Sequence, residues 1–69
     1  MNVRIWGKSS CPYTTAARED FARRGYTVEY VDVVRDRTRL GDMLKLTPGQ
    51  RRVPVIEQEG RITVGFGGT

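Results

Sequence analysis

The stretch NVRIWGKSSCPYTTAAREDFARRGYTVEYVDVV, residues 2–34, decides the fold. Residues 2–6 form a short β-favouring run that stops at Gly7, which predicts a strand followed by a turn. Residues 12–24 have a helical pattern, with proline at the start, arginines near the end and a glycine directly after them. Residues 26–34 are again rich in β-branched and aromatic residues. A strand reached through a crossover helix lies parallel to the first strand, so the stretch predicts a βαβ unit.

A second helix is predicted after this unit. Asp36 is a suitable N-cap, and the helix is expected to run to about Leu46. Leu40, Met43 and Leu44 follow the i, i+3, i+4 spacing that buries one face of a helix. The sequence TPG then ends the helix. This segment therefore predicts a second amphipathic helix.

Two short strands complete the predicted order of elements. VPVIE at residues 53–57 and RITVG at residues 61–65 flank a short EQEG turn, which is typical of a β-hairpin. The order β, α, β, α, β, β predicts an α/β fold with a mixed four-stranded sheet. A chain of 69 residues is expected to form one domain, residues 1–69, with a thin core.

Cysteine and histidine usage narrows the class of protein. The chain has one cysteine and no histidine, so we expect no internal disulfide, no Cys/His catalytic pair and no ordinary metal site. Its first residues, MNVRIW, lack a signal-peptide pattern, and no apolar run approaches the ~20 residues needed to cross a bilayer. These features predict a soluble domain without a membrane partner in a reducing compartment, most simply the cytoplasm.

The charge balance favours anionic partners. The formal net charge is +4, and most of the 12 basic residues are arginines. Neither a recognition-helix pattern nor aromatic residues interleaved with the arginines is present in the sequence, so no nucleic acid is expected among the partners. The alternative is a solvated, arginine-rich surface that keeps a small protein soluble.

Cys11, the only cysteine, lies in the predicted loop between the first strand and the first helix. Open α/β sheets place their ligand sites at this end of parallel strands. A thiolate there faces the first N–H groups of the helix and the charge of Lys8, and both lower the pKa of a cysteine. Thr14 can add a hydrogen bond to the sulfur. These features favour a reactive cysteine over the alternative, a buried cysteine that packs as a small hydrophobic residue.

Val53-Pro54, at the start of the third predicted strand, is a second informative feature. Proline cannot donate to a strand ladder, so it belongs at the start or the edge of a strand. A cis Val53-Pro54 bond would turn the backbone polar groups of Val53 outward, where they could pair with an extended peptide.

These motifs together resemble the glutaredoxins, which have a thioredoxin-like fold. Cys11-Pro12-Tyr13 is similar to the start of the glutaredoxin motif C-P-Y-C, and Val53-Pro54 is similar to its cis-proline element. The element order agrees over nearly the whole chain. Near the C-terminus, Gly65-Phe66 looks closer to the small redoxins that reduce ribonucleotide reductase.

The resemblance extends to the short UXX-star glutaredoxin-like proteins, whose selenocysteine-containing members carry U-P-Y-T. Cys11 would occupy the selenium position, which would make this chain a selenoprotein homologue. The implied fold is a truncated thioredoxin-like fold, β-α-β-α-β-β, without the usual C-terminal helix. One face of the sheet would then be uncovered, which favours a homodimer.

A glutathione site is also implied by the resemblance. Lys8 would pair with a carboxylate of glutathione, Tyr13 would pack beside it, and the Val53 backbone would bond the cysteinyl portion. An arginine at position 52 could meet a glutathione carboxylate. The implied glutathione-binding residues are Lys8, Tyr13, Arg52, Val53, Pro54, Gly67 and Gly68, and Pro12 and Thr14 would support the thiolate of Cys11.

Thr14 stands where a dithiol redoxin has its second cysteine, so the predicted mechanism is monothiol exchange. The Cys11 thiolate would attack the glutathione sulfur of a protein or small-molecule mixed disulfide, and free glutathione would regenerate it. Two alternatives stay open. Two copies of Cys11 with two glutathiones could hold a [2Fe–2S] cluster in a dimer, although Pro12 disfavours this, or Cys11 could reduce peroxides through a sulfenic acid.

Overall fold

The structure, a computed structural model, describes residues 1–67, which form two helices and one four-stranded sheet. The elements in chain order are β1 (Asn2–Gly7), α1 (Pro12–Arg23), β2 (Thr27–Asp32), α2 (Arg37–Leu46), β3 (Val55–Gln58) and β4 (Arg61–Val64). The strand order is β2-β1-β3-β4, with β1 parallel to β2 and antiparallel to β3, and with β3 antiparallel to β4. The predicted element order and the mixed sheet are confirmed.

Each face of the sheet has its own apolar cluster, because side chains alternate between the two faces along every strand. The cluster on the α1 side, here called the first cluster, contains Val3, Ile5, Ala17, Phe21 and Ile56. The cluster on the α2 side contains Trp6, Val31, Val33, Met43 and Val55. One helix thus packs on each face, and the loops that follow β1 and β2 are left at one end of the sheet.

Both helices begin and end within one residue of their predicted bounds. α1 begins at Pro12, and Gly25 follows its end with a φ of +86°, a conformation that glycine adopts without penalty. The carboxylate of Asp36 caps α2 by accepting hydrogen bonds from the backbone N–H groups of Thr38 and Arg39. With 12 and 10 residues, the two helices of the described chain are too short to span a bilayer.

The predicted second strand, residues 26–34, is too long at its C-terminal end. β2 ends at Asp32, whose Oδ1 accepts hydrogen bonds of 3.0 Å from the backbone N–H groups of Val34 and Arg35. An aspartate that binds the backbone two and three residues ahead turns the chain. The loop between β2 and α2 therefore starts earlier than the apolar pattern suggests.

The predicted hairpin is confirmed, but its turn is shorter than EQEG. β3 extends through Gln58, and the turn consists of Glu59 and Gly60, with φ values of +51° and +80°. Two consecutive residues with positive φ form the tight turn that matches the twist of the flanking strands. The predicted turn was too long because strand residues with polar side chains, such as Gln58, look like turn residues in sequence.

The end of the described chain covers part of the sheet face on the α1 side. Phe66 packs against the first cluster, and Ile56 in β3 is only 4% exposed. Within residues 1–67 the sheet face that carries α1 is therefore partly covered.

Candidate active site

Cys11 is the N-cap of α1, directly after the loop that leaves β1. Its backbone N–H donates to the carbonyl of Lys8 at 3.2 Å, and its own carbonyl accepts from Thr15 at 3.2 Å. Pro12 takes the first helical position, where its missing N–H leaves no bond unmade. Only 9% of Cys11 is exposed, yet it belongs to neither apolar cluster. The free thiol is thus held against the N-terminus of the helix, as predicted.

Opposing effects act on the pKa of the Cys11 thiol, and the net result is a pKa below its ordinary value. Burial raises the pKa, because it disfavours the charged thiolate. The nearby Thr14 hydroxyl and the backbone N–H groups of Thr14 and Tyr13 lower it, and the charge of Lys8 adds to them, although the Cys11 side chain forms no cap hydrogen bond of ordinary geometry. A larger fraction of the sulfur is therefore ionised at neutral pH than in an ordinary cysteine.

Thr14 is the buried partner of this sulfur. It has no exposed surface, and its Oγ1 forms no hydrogen bond of ordinary geometry within residues 1–67. A buried hydroxyl without an acceptor is costly, so an ionised sulfur beside it is favoured over a neutral thiol. Position 14 is where dithiol members of the glutaredoxins, which this chain resembles, have their second cysteine. Here it is a threonine whose hydroxyl favours the thiolate of Cys11.

Gly7, the last residue of β1, makes room for Thr14. A Cβ atom built on Gly7 would lie 2.5 Å from Thr14 Oγ1 and in still closer contact with Cγ2. Any side chain at Gly7 would therefore displace the threonine that supports Cys11. The sequence analysis assigned Gly7 only to a turn, because nothing in the local pattern shows which atoms it faces.

A groove of about 330 Å³ lies beside the Cys11 loop and has three cations on its walls. The groove is lined by Lys8, Val33, Val34, Arg37, Leu40, Arg51 and Val53. Its cations, Lys8, Arg37 and Arg51, are all exposed, and no carboxylate from residues 1–67 lines it. Arg37 and Arg51 were missed by the sequence analysis, although each stands next to a predicted element boundary at this end of the sheet. We call this feature the cationic groove.

Val53 and Pro54 stand at the entrance to β3, and the peptide bond between them is cis. Pro54 is fully buried, and its carbonyl accepts a 2.7 Å hydrogen bond from the N–H of Gly65. In contrast, the backbone N–H and carbonyl of Val53 make no hydrogen bond within residues 1–67. Since Val53 also lines the cationic groove, these groups are placed where a ligand could meet them.

The other predicted site residues are distributed differently. Tyr13 is 42% exposed on the first turn of α1, and its backbone N–H helps to lower the pKa of the Cys11 thiol. Arg52 is exposed but does not line the cationic groove, where Arg51 stands instead. Gly67 is exposed with a φ of +63° and lines no part of the groove, and Gly68 lies outside the described residues. Of the predicted glutathione-binding residues, Lys8 and Val53 therefore line the cationic groove together.

Within the part of the chain that the structure describes, no three Asp, Glu, Cys or His side chains lie close enough together to hold a metal ion. The candidate site therefore offers one ionisable sulfur, that of Cys11, and the cations of the cationic groove.

Comparison with known proteins gives concordant matches. The family model described as Glutaredoxin matches residues 3–62. A Bacillus subtilis (strain 168) protein, N-acetyl-S-hydroxy-L-cysteine reductase, is 30% identical over 57 residues, which cover 83% of this chain and 60% of that protein. The chain thus spans 60% of the length of this curated relative.

Two solved structures have the same fold. A glutaredoxin from Archaeoglobus fulgidus superposes with a TM-score of 0.82 at 20% identity, covering 94% of this chain and 75% of that one. The glutaredoxin-like protein NrdH-redoxin from Escherichia coli gives a TM-score of 0.78 at 22% identity, covering 97% of this chain and 86% of that one. These likenesses confirm the predicted thioredoxin-like architecture.

Proposed function

This chain belongs to the glutaredoxin family, and on that premise we propose that it is a thiol–disulfide oxidoreductase that reduces glutathione mixed disulfides through Cys11 alone. The observation that carries the proposal is the position of Cys11, a free thiol at the N-cap of α1, where its pKa lies below the ordinary value. A thiolate is the form of cysteine that attacks a disulfide.

The proposed reaction has two exchange steps. The Cys11 thiolate attacks the glutathione sulfur of the mixed disulfide, the disulfide bond breaks, and the substrate leaves as a thiolate that takes a proton from water. A second glutathione thiolate then attacks the glutathione sulfur bound to Cys11, which yields oxidised glutathione and frees the Cys11 thiolate. Because position 14 is threonine and the chain has one cysteine, the second thiol must come from outside the chain.

The cationic groove supports this proposal by offering partners for the carboxylates of glutathione. Lys8, Arg37 and Arg51 can each form charge-assisted hydrogen bonds with a carboxylate. The unpaired N–H and carbonyl of Val53 suit the backbone of the cysteinyl portion. We assign the carboxylate contact expected of Arg52 to Arg51, which lines the groove.

Purified protein assayed for glutathione-dependent reduction of a glutathionylated peptide tests the proposal. Wild-type protein should catalyse the reaction, whereas Cys11→Ser, verified as folded by circular dichroism, should lose it entirely. Equal rates for the two proteins would refute a role for Cys11. Turnover with the thioredoxin system but not with glutathione would refute glutathione as the reductant and leave the thiol exchange intact.

The Bacillus subtilis relative favours a second candidate, because its name specifies an S-hydroxy cysteine derivative as its substrate. The Cys11 thiolate would attack the sulfur of such a sulfenic acid, the S–OH bond would break, and the hydroxide would leave as water after taking a proton. A mixed disulfide with Cys11 would form, and an external thiol would resolve it. Release of N-acetylcysteine from its S-hydroxy form by wild-type protein, and not by Cys11→Ser, would support this reaction, whereas equal release by both would refute it.

A further inference from the structure

We propose that the cationic groove docks an acidic polypeptide segment that flanks the partner's reactive cysteine. This inference deepens the proposed function, and its exchange step rests on the reactivity proposed for Cys11. The docking itself depends on the charge and shape of the cationic groove and not on the Cys11 sulfur. The partner class is therefore a protein whose disulfide lies in an extended segment rich in aspartate or glutamate.

The charges at this end of the sheet are unbalanced. Lys8, Arg37 and Arg51 line the groove and form no ion pair within residues 1–67. The carboxylates of the adjacent loop, Asp32 and Asp36, accept hydrogen bonds from the backbone N–H groups that follow each of them. Three cations are thus concentrated in one concave surface, which attracts acidic ligands and speeds their association.

The walls between the cations suit a polypeptide better than a nucleic acid. They are aliphatic, formed by Val33, Val34, Leu40 and Val53, and Val34 is 63% exposed. No aromatic ring of the described residues lines the groove, so they offer no platform on which a base could stack. The unpaired backbone N–H and carbonyl of Val53 can instead bond an extended chain in the manner of strand addition.

Glutathione and an acidic polypeptide segment, which both offer carboxylates to the groove, differ in the positive charge that they carry. Glutathione carries an ammonium group together with its two carboxylates, and the part of the groove lining that the structure describes has no acidic side chain to receive the ammonium. In a polypeptide segment the corresponding nitrogen is part of an uncharged peptide bond. An acidic segment therefore adds attraction without placing a positive charge beside three cations.

Docking is measured with Cys11→Ser and a pair of synthetic peptides that carry an uncharged fluorophore. One peptide has glutamates around a central serine, and the other has glutamines at the same positions. At about 0.01 M salt, where the Debye length is about 30 Å, fluorescence anisotropy should show roughly tenfold tighter binding of the acidic peptide. At about 1 M salt, where the Debye length is about 3 Å, the difference should fall below about twofold.

A double variant, Arg37→Gln with Arg51→Gln, should lose most of the preference for the acidic peptide, whereas its affinity for the neutral peptide should stay within about twofold. The matched control is Lys45→Gln with Arg61→Gln, which removes the same charge from exposed cations outside the groove. This control should keep at least about half of the wild-type preference.

Three results would overturn the docking proposal: equal affinity for the two peptides at low salt, an equal loss in the control variant, or equally tight binding of a single-stranded oligonucleotide of the same charge. The exchange step is measured separately with wild-type protein and cysteine versions of both peptides, activated as 2-pyridyl disulfides. Cys11 attacks the peptide sulfur and displaces pyridine-2-thione, whose absorbance gives the rate. Preferential binding without any release would refute the chemistry proposed for Cys11 and leave the docking proposal supported.

Discussion

Replacing Gly7 with alanine tests the packing that holds Thr14 beside Cys11. The new Cβ would lie 2.5 Å from Thr14 Oγ1, although real Cβ contacts essentially never fall below 3.0 Å, so the buried threonine must move. Overpacking of this kind costs about 1–3 kcal/mol. A 69-residue domain has a total stability of roughly 3–10 kcal/mol, so this cost removes a large part of it. The expected fall in melting temperature is about 4–8 °C for each kcal/mol.

Thermal and urea denaturation measure this effect, and Gly41→Ala is the matched control. Gly41 lies inside α2 with nothing within 4 Å of its built Cβ, so the same substitution there should stabilise the protein by about 1 kcal/mol. The two glycine substitutions should thus change the free energy of unfolding in opposite directions.

A double-mutant cycle then assigns the cost to Thr14. In a Thr14→Ala background both Oγ1 and Cγ2 are gone, and the nearest remaining Thr14 atom, Cβ, is 3.0 Å away. Gly7→Ala should therefore cost at least about 1 kcal/mol less in that background. A cost below about 0.5 kcal/mol in the wild-type background, or the same cost in both, would refute the reasoning.

The remaining predictions concern the thiolate and one helix cap. Thr14→Val removes the hydroxyl that lowers the Cys11 pKa, so the pH profile of alkylation by iodoacetamide should move to higher pH; an unchanged profile would exclude the hydroxyl as a cause. The pKa of Cys11 is lower in the folded protein than its ordinary value of 9.0, so ionisation of the thiol stabilises the folded state above pH 9.0. This stabilisation is lost as the pH falls through the lowered pKa. Urea titrations should therefore show stability rising with pH up to about 9 in wild-type protein but less steeply in Cys11→Ser, and parallel curves would contradict this. Asp36→Ala removes the cap of α2 and should cost about 1 kcal/mol in the same denaturation assay, whereas no loss would mean that water replaces the cap.

The fold was predictable because its signals are local. Proline at position 12, Gly25 after α1 and Asp36 before α2 act on the adjacent backbone, and each does in the structure what its residue type predicts. The end of β2 was not predictable to the residue, because it depends on a side chain of Asp32 turning back onto the backbone. Apolar residues beyond it, such as Val34, continue the strand pattern in sequence and lie in the loop in the structure.

The candidate site was predictable where its parts are adjacent in sequence or stand in a recognisable motif, as Val53 does beside Pro54. Cys11 and the residues just after it could be placed at a helix N-terminus from the sequence alone. Gly7 could not be assigned, because its role depends on atoms of α1 across the turn. Arg37 and Arg51 could not be assigned either, since the cationic groove joins three loops that are distant in the chain. Such a groove exists only once the sheet has brought those loops to one end.

The position of β1 inside the sheet has a consequence for how the active site moves. β1 is hydrogen-bonded to β2 on one side and to β3 on the other. Amide hydrogens of such a central strand exchange with solvent mainly through global opening, whereas edge strands and loops also open locally. The segment that carries Cys11 therefore departs from the slowest-exchanging part of the molecule. We therefore expect a partner to adapt its own conformation to the Cys11 sulfur, because the strand that precedes Cys11 opens rarely.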